Sequence, residues 1–180
     1  MIKAIVFNGL ICAGKTTLAK HLCNEYGWDR ISFGDYISHI ADKNKSSKSR
    51  KSLQDIGYDL YNKYSCYVFL KNVIDYHNPS SDVHIYDSIR HPDLLFEVKN
   101  YYSKTTSFYL NLSECKRYER YVKKYNDGKT FDQFKEINNH PVEKDILRLL
   151  AYSDHQIDET LQIKEIINKV KLILKKEKYL

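Results

Sequence analysis

Residues 4–22 read AIVFNGLICAGKTTLAKHL, and the fold turns on this stretch. Ala4 to Phe7 form a continuous apolar run, the pattern of a strand buried on both faces. From Lys15 to Tyr26 the apolar positions Leu18, Ala19 and Leu22 recur at helical spacing, and Gly27 stands where a C-terminal cap belongs. Between strand and helix, residues 9–16 spell GLICAGKT, which satisfies G-x-x-x-x-G-K-S/T at every fixed position. Glycines let backbone N–H groups turn toward phosphate oxygens, Lys15 reaches the outer phosphates, and Thr16 offers its hydroxyl to magnesium. The helix beginning there aims its positive dipole end at the same anions. The chain holds only six glycines, and two of them sit in this motif. Gly9, Cys12, Ala13, Gly14, Lys15, Thr16 and Thr17 are thus the expected ligands of a nucleoside triphosphate.

Outward from this loop, helical and extended patterns alternate, which predicts an α/β domain with a parallel sheet. Arg30 to Phe33 reads as a second short strand, Val83 to Tyr86 as a third ending at Asp87, and Ser107 to Leu112 as a fourth. Leu53, Ile56, Leu60, Tyr61 and Tyr64 predict a long helix reaching about Tyr76, or two helices broken near Ser65. Pro92 suits a helix's first turn, Ser113 caps a helix through Arg117 and Arg120, and Thr130 with Gln133 has capping-box spacing. Ile163, Ile166, Ile167, Val170, Ile173 and Leu174 give the clearest amphipathic helix.

The 180 residues predict one domain, residues 1–180. With 42% hydrophobic and 29% charged residues, the composition excludes a disordered, fibrous or membrane-embedded chain. The net charge of +6 comes from 23 lysines and six arginines set against 23 acidic residues, and the basic residues are spread without a dense stripe, which argues against nucleic acid as a partner. Four scattered cysteines without a C-x-x-C pair fit reduced thiols in a cytoplasmic protein. The N-terminal run passes straight into the glycine loop, which argues against a signal peptide or membrane span.

Other positions narrow the chemistry. No Asn-Lys-x-Asp segment suggests guanine, and VHIYDS (83–88) places Ser88, not a water-activating Glu, after Asp87. Transfer of a phosphoryl group to a bound acceptor is therefore favoured over hydrolysis. Such transfer needs cations, and arginine's planar fork serves both the moving group and an acceptor phosphate. Arg50 opens the long helix, Arg90 lies just past Asp87, and Arg117 and Arg120 share a helix face. Each also has an ordinary surface role open to it. Asp35, directly after the second strand, is either a helix cap or a group that holds the acceptor hydroxyl. Asp87 is placed to bind magnesium, directly or through its water shell, or to orient the acceptor.

Taken together, SFGD (32–35), RKSLQDIG (50–57), DSIRHP (87–92), RYER (117–120) and HPVE (140–143) resemble segments of the P-loop nucleotide kinases. That family includes nucleoside monophosphate kinases and dephospho-CoA kinase, and the likeness extends to a bacterial branch labelled P-loop or AAA-family ATPases. The resemblance implies a P-loop NTPase three-layer αβα fold, with a five-stranded parallel sheet. It also implies an acceptor-binding helical region near residues 35–80, a lid near 117–141, and ATP and Mg2+ as donor and metal. By the same likeness, Lys15, Asp87, Arg117, Arg120 and Asp35 would be catalytic, Arg50, Arg90 and Asp35 would hold the acceptor, and Thr16 and Asp87 the metal. Ser88 stands where glycine is usual and Val142 where threonine is usual, and the second departure weakens any role for the late segment.

The leading expectation is transfer from ATP to a nucleoside or deoxynucleoside monophosphate by a monomer or homodimer. The alternatives are transfer to a hydroxyl, as in dephospho-CoA kinase, and a regulatory nucleotide-sensing NTPase.

Overall fold

The computed structural model describes residues 2–137, 141–158 and 163–180. Five parallel strands form its centre: β1 (Lys3–Asn8), β2 (Asp29–Ser32), β3 (Val83–Asp87), β4 (Lys104–Asn111) and β5 (His155–Asp158), in spatial order β2-β3-β1-β4-β5. The helices are α1 (Lys15–Tyr26), α2 (Phe33–Lys43), α3 (Arg50–Lys63), α4 (Cys66–His77), α5 (Pro92–Tyr101), α6 (Glu114–Tyr125), α7 (Phe131–Ile137), α8 (Pro141–Tyr152) and α9 (Ile163–Lys176). This is the expected three-layer α/β architecture.

Strand alternation builds the two helical layers. Ala4 and Val6 face a cluster with α4, α5 and α8, which contribute Leu70, Leu95 and Leu149. Ile5 and Phe7 face the other side, against Leu18 and Leu22 of α1 and Val170 and Leu174 of α9. A third, smaller cluster of Ile11, Tyr121 and Phe134 packs α6 and α7 against the glycine loop.

Some boundaries differ from the sequence reading. Strand β2 is Asp29–Ser32, because Ser32 Oγ accepts the Asp35 amide and makes Phe33 the first residue of α2. The long helical region is two helices, split where Ser65 Oγ caps α4 by accepting the Val68 amide at 3.3 Å. Helix α8 and edge strand β5 have no counterpart in the individual sequence patterns. Of the HPVE segment, His140 lies outside the described residues, as do 138–140 of the region expected to form a lid. Among the described residues, no helix is long and apolar enough to cross a membrane.

Candidate active site

The strand order reverses direction of crossover at β1, so the loops after β1 and β3 open into one crevice at the strands' carboxyl ends. The glycine loop begins there. A Cβ on Gly9, whose φ is +135°, would stand 2.7 Å from the Leu110 carbonyl oxygen of β4, so only glycine fits. Gly14 also has positive φ, +107°, where the loop turns into α1. Lys15 Nζ donates to the carbonyl oxygens of Gly9 at 2.7 Å and Leu10 at 2.9 Å, and so folds over the loop. Desolvation pushes Lys15 down to about 8, against the attraction of Glu143.

Asp87 ends β3 fully buried, beside Ser32 in the parallel register. Arg30 Nη1 donates to both its carboxylate oxygens, at 2.9 and 2.8 Å, and Thr16 also hydrogen-bonds to it. Burial raises the Asp87 proton affinity, and Arg30, Thr16 and Lys15 oppose that rise. The second guanidinium nitrogen of Arg30 pairs with Asp35. Arg30 therefore bridges the carboxylates of Asp87, at the end of β3, and Asp35, in the first turn of α2. The Thr16 hydroxyl and the Asp87 carboxylate are oxygen donors of the kind magnesium takes.

Across a cavity of about 400 Å³ stands a second charged group. Arg50, the first residue of α3, and Arg90, in the loop after β3, both donate to Glu143 Oε1 at 2.6 Å. Gln54, one turn beyond Arg50, donates to the same oxygen at 2.9 Å. Glu143, on the first turn of α8, is 1% exposed. Burial would raise its proton affinity, but Arg90, Arg50 and Lys15 outweigh that and hold it below the usual glutamate range. The departure at position 142 weakened the case for the late segment, yet its next residue, Glu143, is the partner of both arginines.

A ring stack holds these elements together. Tyr61 of α3 lies on His91 with centroids 3.7 Å apart and planes 6° from parallel. His91 Nδ1 hydrogen-bonds to Asp145 Oδ2 at 2.8 Å, and Tyr61 donates to Asp93 Oδ2 at 3.0 Å. Helix α3 is thereby anchored to α5 and α8, which fixes Arg50 relative to Arg90 and Glu143.

The remaining expected residues fall in two places. Arg120 Nη1 donates to the Ala13 carbonyl at 3.1 Å and lies against the outer side of the glycine loop. Arg117 does not share that position: it is 4% exposed, its Nε donates to the Leu112 carbonyl, and its guanidinium lies over the Phe134 ring. Among the described residues, Lys15, Thr16, Asp35, Arg50 and Arg90 line the main cavity, and Cys12 and Thr16 line both sides of the loop. Arg30, Gln54, Lys124 and Glu143 complete it, and these were not singled out in the sequence. The signal for Glu143 was available: two arginines expected at a buried site need a counter-charge, and HPVE offers one.

No protein-family model and no curated protein matches the sequence. Solved structures do match the fold. A shikimate kinase from Acinetobacter baumannii, in complex with shikimate, superposes with a TM-score of 0.59 at 12% identity, covering 100% of this chain and 97% of that one. A shikimate kinase from Bacteroides thetaiotaomicron gives 0.59 at 14% identity, with 97% and 98% covered. A deoxyadenosine kinase from M. mycoides, with products dCMP and dCDP bound, gives 0.56 at 15% identity, with 97% and 100% covered. The chain thus has the fold of the P-loop small-molecule kinases.

Proposed function

We propose that the protein is an ATP- and Mg2+-dependent phosphotransferase whose acceptor is a nucleoside or deoxynucleoside monophosphate. The observation that carries this reading is the charge of the shared cavity. Lys15, Lys20, Arg30, Arg50, Arg90 and Lys124 line it, against the carboxylates of Asp35 and Glu143. That surplus suits two phosphate-bearing ligands, since a phosphomonoester brings about −1.5 to −2 at neutral pH. An uncharged acceptor would leave Arg50 and Arg90 with only Glu143 between them. Apolar side chains, among them Phe33, Ile37, Leu53 and Phe69, line the same cavity and suit a nucleobase.

In this reading the glycine loop, Lys15 and Thr16 hold the donor phosphates, and the Thr16 hydroxyl and the Asp87 carboxylate, which Arg30 also engages, would hold Mg2+. The metal, when bound, neutralises charge on the donor phosphates. Residues 35–80 form the acceptor side, and the described residues from 117 to 137 the lid. Arg120 reaches the donor from α6, and Arg117 orders the lid's packing instead of touching the phosphoryl group. The acceptor phosphate is already anionic, so the residues supply alignment and exclusion of water, and no strong base is required. A small-molecule kinase of this kind works in the cytoplasm, without nucleic acid.

The second reading, transfer to a hydroxyl, is favoured by Asp35, whose carboxylate stands at the cavity wall. A coupled ADP assay across monophosphates, nucleosides, dephospho-CoA and shikimate separates the two, together with two variants. The monophosphate reading expects Asp35→Asn to stay within about threefold of wild type and Arg90→Ala to lose about 100-fold. The opposite ranking, with stimulation only by a hydroxyl acceptor, would establish the second reading.

A further inference from the structure

Two cavities meet at the glycine loop. The main one, of about 400 Å³, is lined by Asp35, Arg50 and Arg90. The second, of about 420 Å³, lies on the outer side of the loop, against Gly14, Thr17 and Arg120. Among the described residues, Cys12, Lys15, Thr16 and Lys124 line both. Three of these belong to the loop itself. The fourth, Lys124, reaches the same ground from the last turn of α6.

The helical spacing of Arg117 and Arg120 marks them as the cations of α6, yet neither lines both cavities. Arg117 is buried over Phe134, with Nε donating to the Leu112 carbonyl, and Arg120 lines the outer cavity while donating to the Ala13 carbonyl. In the main cavity Lys15, Arg30, Arg50 and Arg90 all donate to protein oxygens. Lys124 differs. Its ammonium lies 4.9 Å from the centre of the Tyr125 ring and makes no ion pair or hydrogen bond among the described residues, so three N–H donors remain available. Its charge is nonetheless felt by the loop. Burial pushes the Cys12 thiol up, and of the cations that oppose this Lys124 acts most, ahead of Lys15, Arg50 and Arg117.

A phosphoryl group that leaves a donor held by the loop for an acceptor held by Arg50 and Arg90 crosses the ground that the two cavities share. We infer that Lys124 is a further catalytic residue, the cation that donates to the phosphoryl oxygens during that crossing. This inference rests on the transfer reading above. In the step, an anionic oxygen of the acceptor phosphate forms a bond to the γ-phosphorus, the bond from that phosphorus to the β-phosphate oxygen breaks, and its electron pair leaves with ADP. No proton moves, so Lys124 keeps its own and acts as a charge rather than as an acid. A cation whose donors are not taken by protein oxygens suits this role, because no existing bond has to break before it meets the moving group.

The test is steady-state kinetics of Lys124→Gln and Lys124→Arg, with Lys123→Gln as control, an exposed lysine of the same turn that lines neither cavity. Lys124→Gln should lose about 100-fold in kcat while KM for ATP and for the acceptor stays within about threefold, the pattern of a contact made chiefly in the transition state. Lys124→Arg should recover about tenfold of that loss, and Lys123→Gln should stay within about twofold of wild type. Cys12 supplies a readout that does not depend on turnover. Its alkylation by iodoacetamide, followed by mass spectrometry, should slow several-fold in Lys124→Gln, because the thiolate loses the cation that most favours it. A Lys124→Gln kcat within about threefold of wild type, or a loss carried by KM for ATP, overturns the assignment and leaves the transfer reading standing. Unchanged alkylation of Cys12 places the ammonium away from the loop and overturns the assignment as well. Absence of transfer by the wild type to every monophosphate and hydroxyl acceptor overturns the transfer reading, and this inference with it.

Discussion

The two walls of the cavity are built by different means. The wall proposed for the donor is one unbroken run of chain, Gly9 to Thr16, which offers backbone amides and a single lysine. The acceptor wall is an assembly of side chains: Arg50 from α3, Arg90 from the loop after β3, and Glu143 from α8, brought to one oxygen atom across 93 residues of sequence. On the donor wall the sequence order is the spatial order. On the acceptor wall the charge balance emerges only when α3, α8 and the loop after β3 pack together.

That contrast can be broken by mutation. The largest effect is expected on the donor wall, where Lys15→Ala should lower kcat/KM about 10³-fold without unfolding the chain, as steady-state kinetics and circular dichroism would report. A variant with near-normal turnover would remove the loop from the chemistry. On the acceptor wall, Arg90→Ala should cost about 100-fold in kcat/KM for the acceptor and leave KM for ATP within about threefold. If KM for ATP rises equally, the two walls are not separate sites. Glu143→Ala should lower stability by about 3 kcal/mol, because it leaves two arginines facing each other at 25% and 33% exposure without a counter-ion. Denaturant titration would measure it, and an unchanged midpoint would show that the triad is not structural.

The pH dependence sharpens the donor side. Lys15 is held near pH 8 by desolvation, well below the unfolded lysine value. Only the charged form attracts phosphate, so kcat/KM for ATP should fall as pH rises through about 8. The stability effect has the opposite sign: a lysine depressed in the fold contributes stability above its unfolded pKa, and that contribution is lost as pH falls through about 8. A pH profile flat to above pH 10 would mean that Lys15 is not desolvated in the free enzyme.

The smallest expected effect lies at the join between the walls. Ser88 has φ of +97°, a region that glycine enters without strain and serine does not. The serine that departs from the family pattern thus occupies a glycine conformation. Ser88→Gly should stabilise the protein by about 1 kcal/mol, or about 2–4 °C in Tm. A lower Tm would show that the hydroxyl offsets the backbone strain.

Much of the fold was readable in advance because its signals are local. The apolar run of β1, the glycine loop and the periodic helix α9 each lie within about a dozen residues. Strand β5, HQID, escaped because four residues at a sheet edge with His and Gln among them carry no run or alternation to notice. Helix α8 was hidden behind its own motif: its opening was read as a short signature and not as the first turn of a helix. The candidate site followed the same division. Spacing singles out Thr16 and Lys15, which line the cavity, whereas Arg30 reads as one more residue of a short strand, and Glu143 as an acidic residue suited to a helix N-terminus. Arg117 and Arg120 had identical helical patterning, and only packing separates them: one lies against Phe134, the other against the glycine loop.

Phosphorus NMR of the purified protein with MgATP and a deoxynucleoside monophosphate tests the transfer itself. The expected spectrum shows nucleoside diphosphate appearing in step with ADP, with inorganic phosphate far behind. ADP and inorganic phosphate rising together, at the same rate with and without the monophosphate, would contradict it and make the protein a hydrolase.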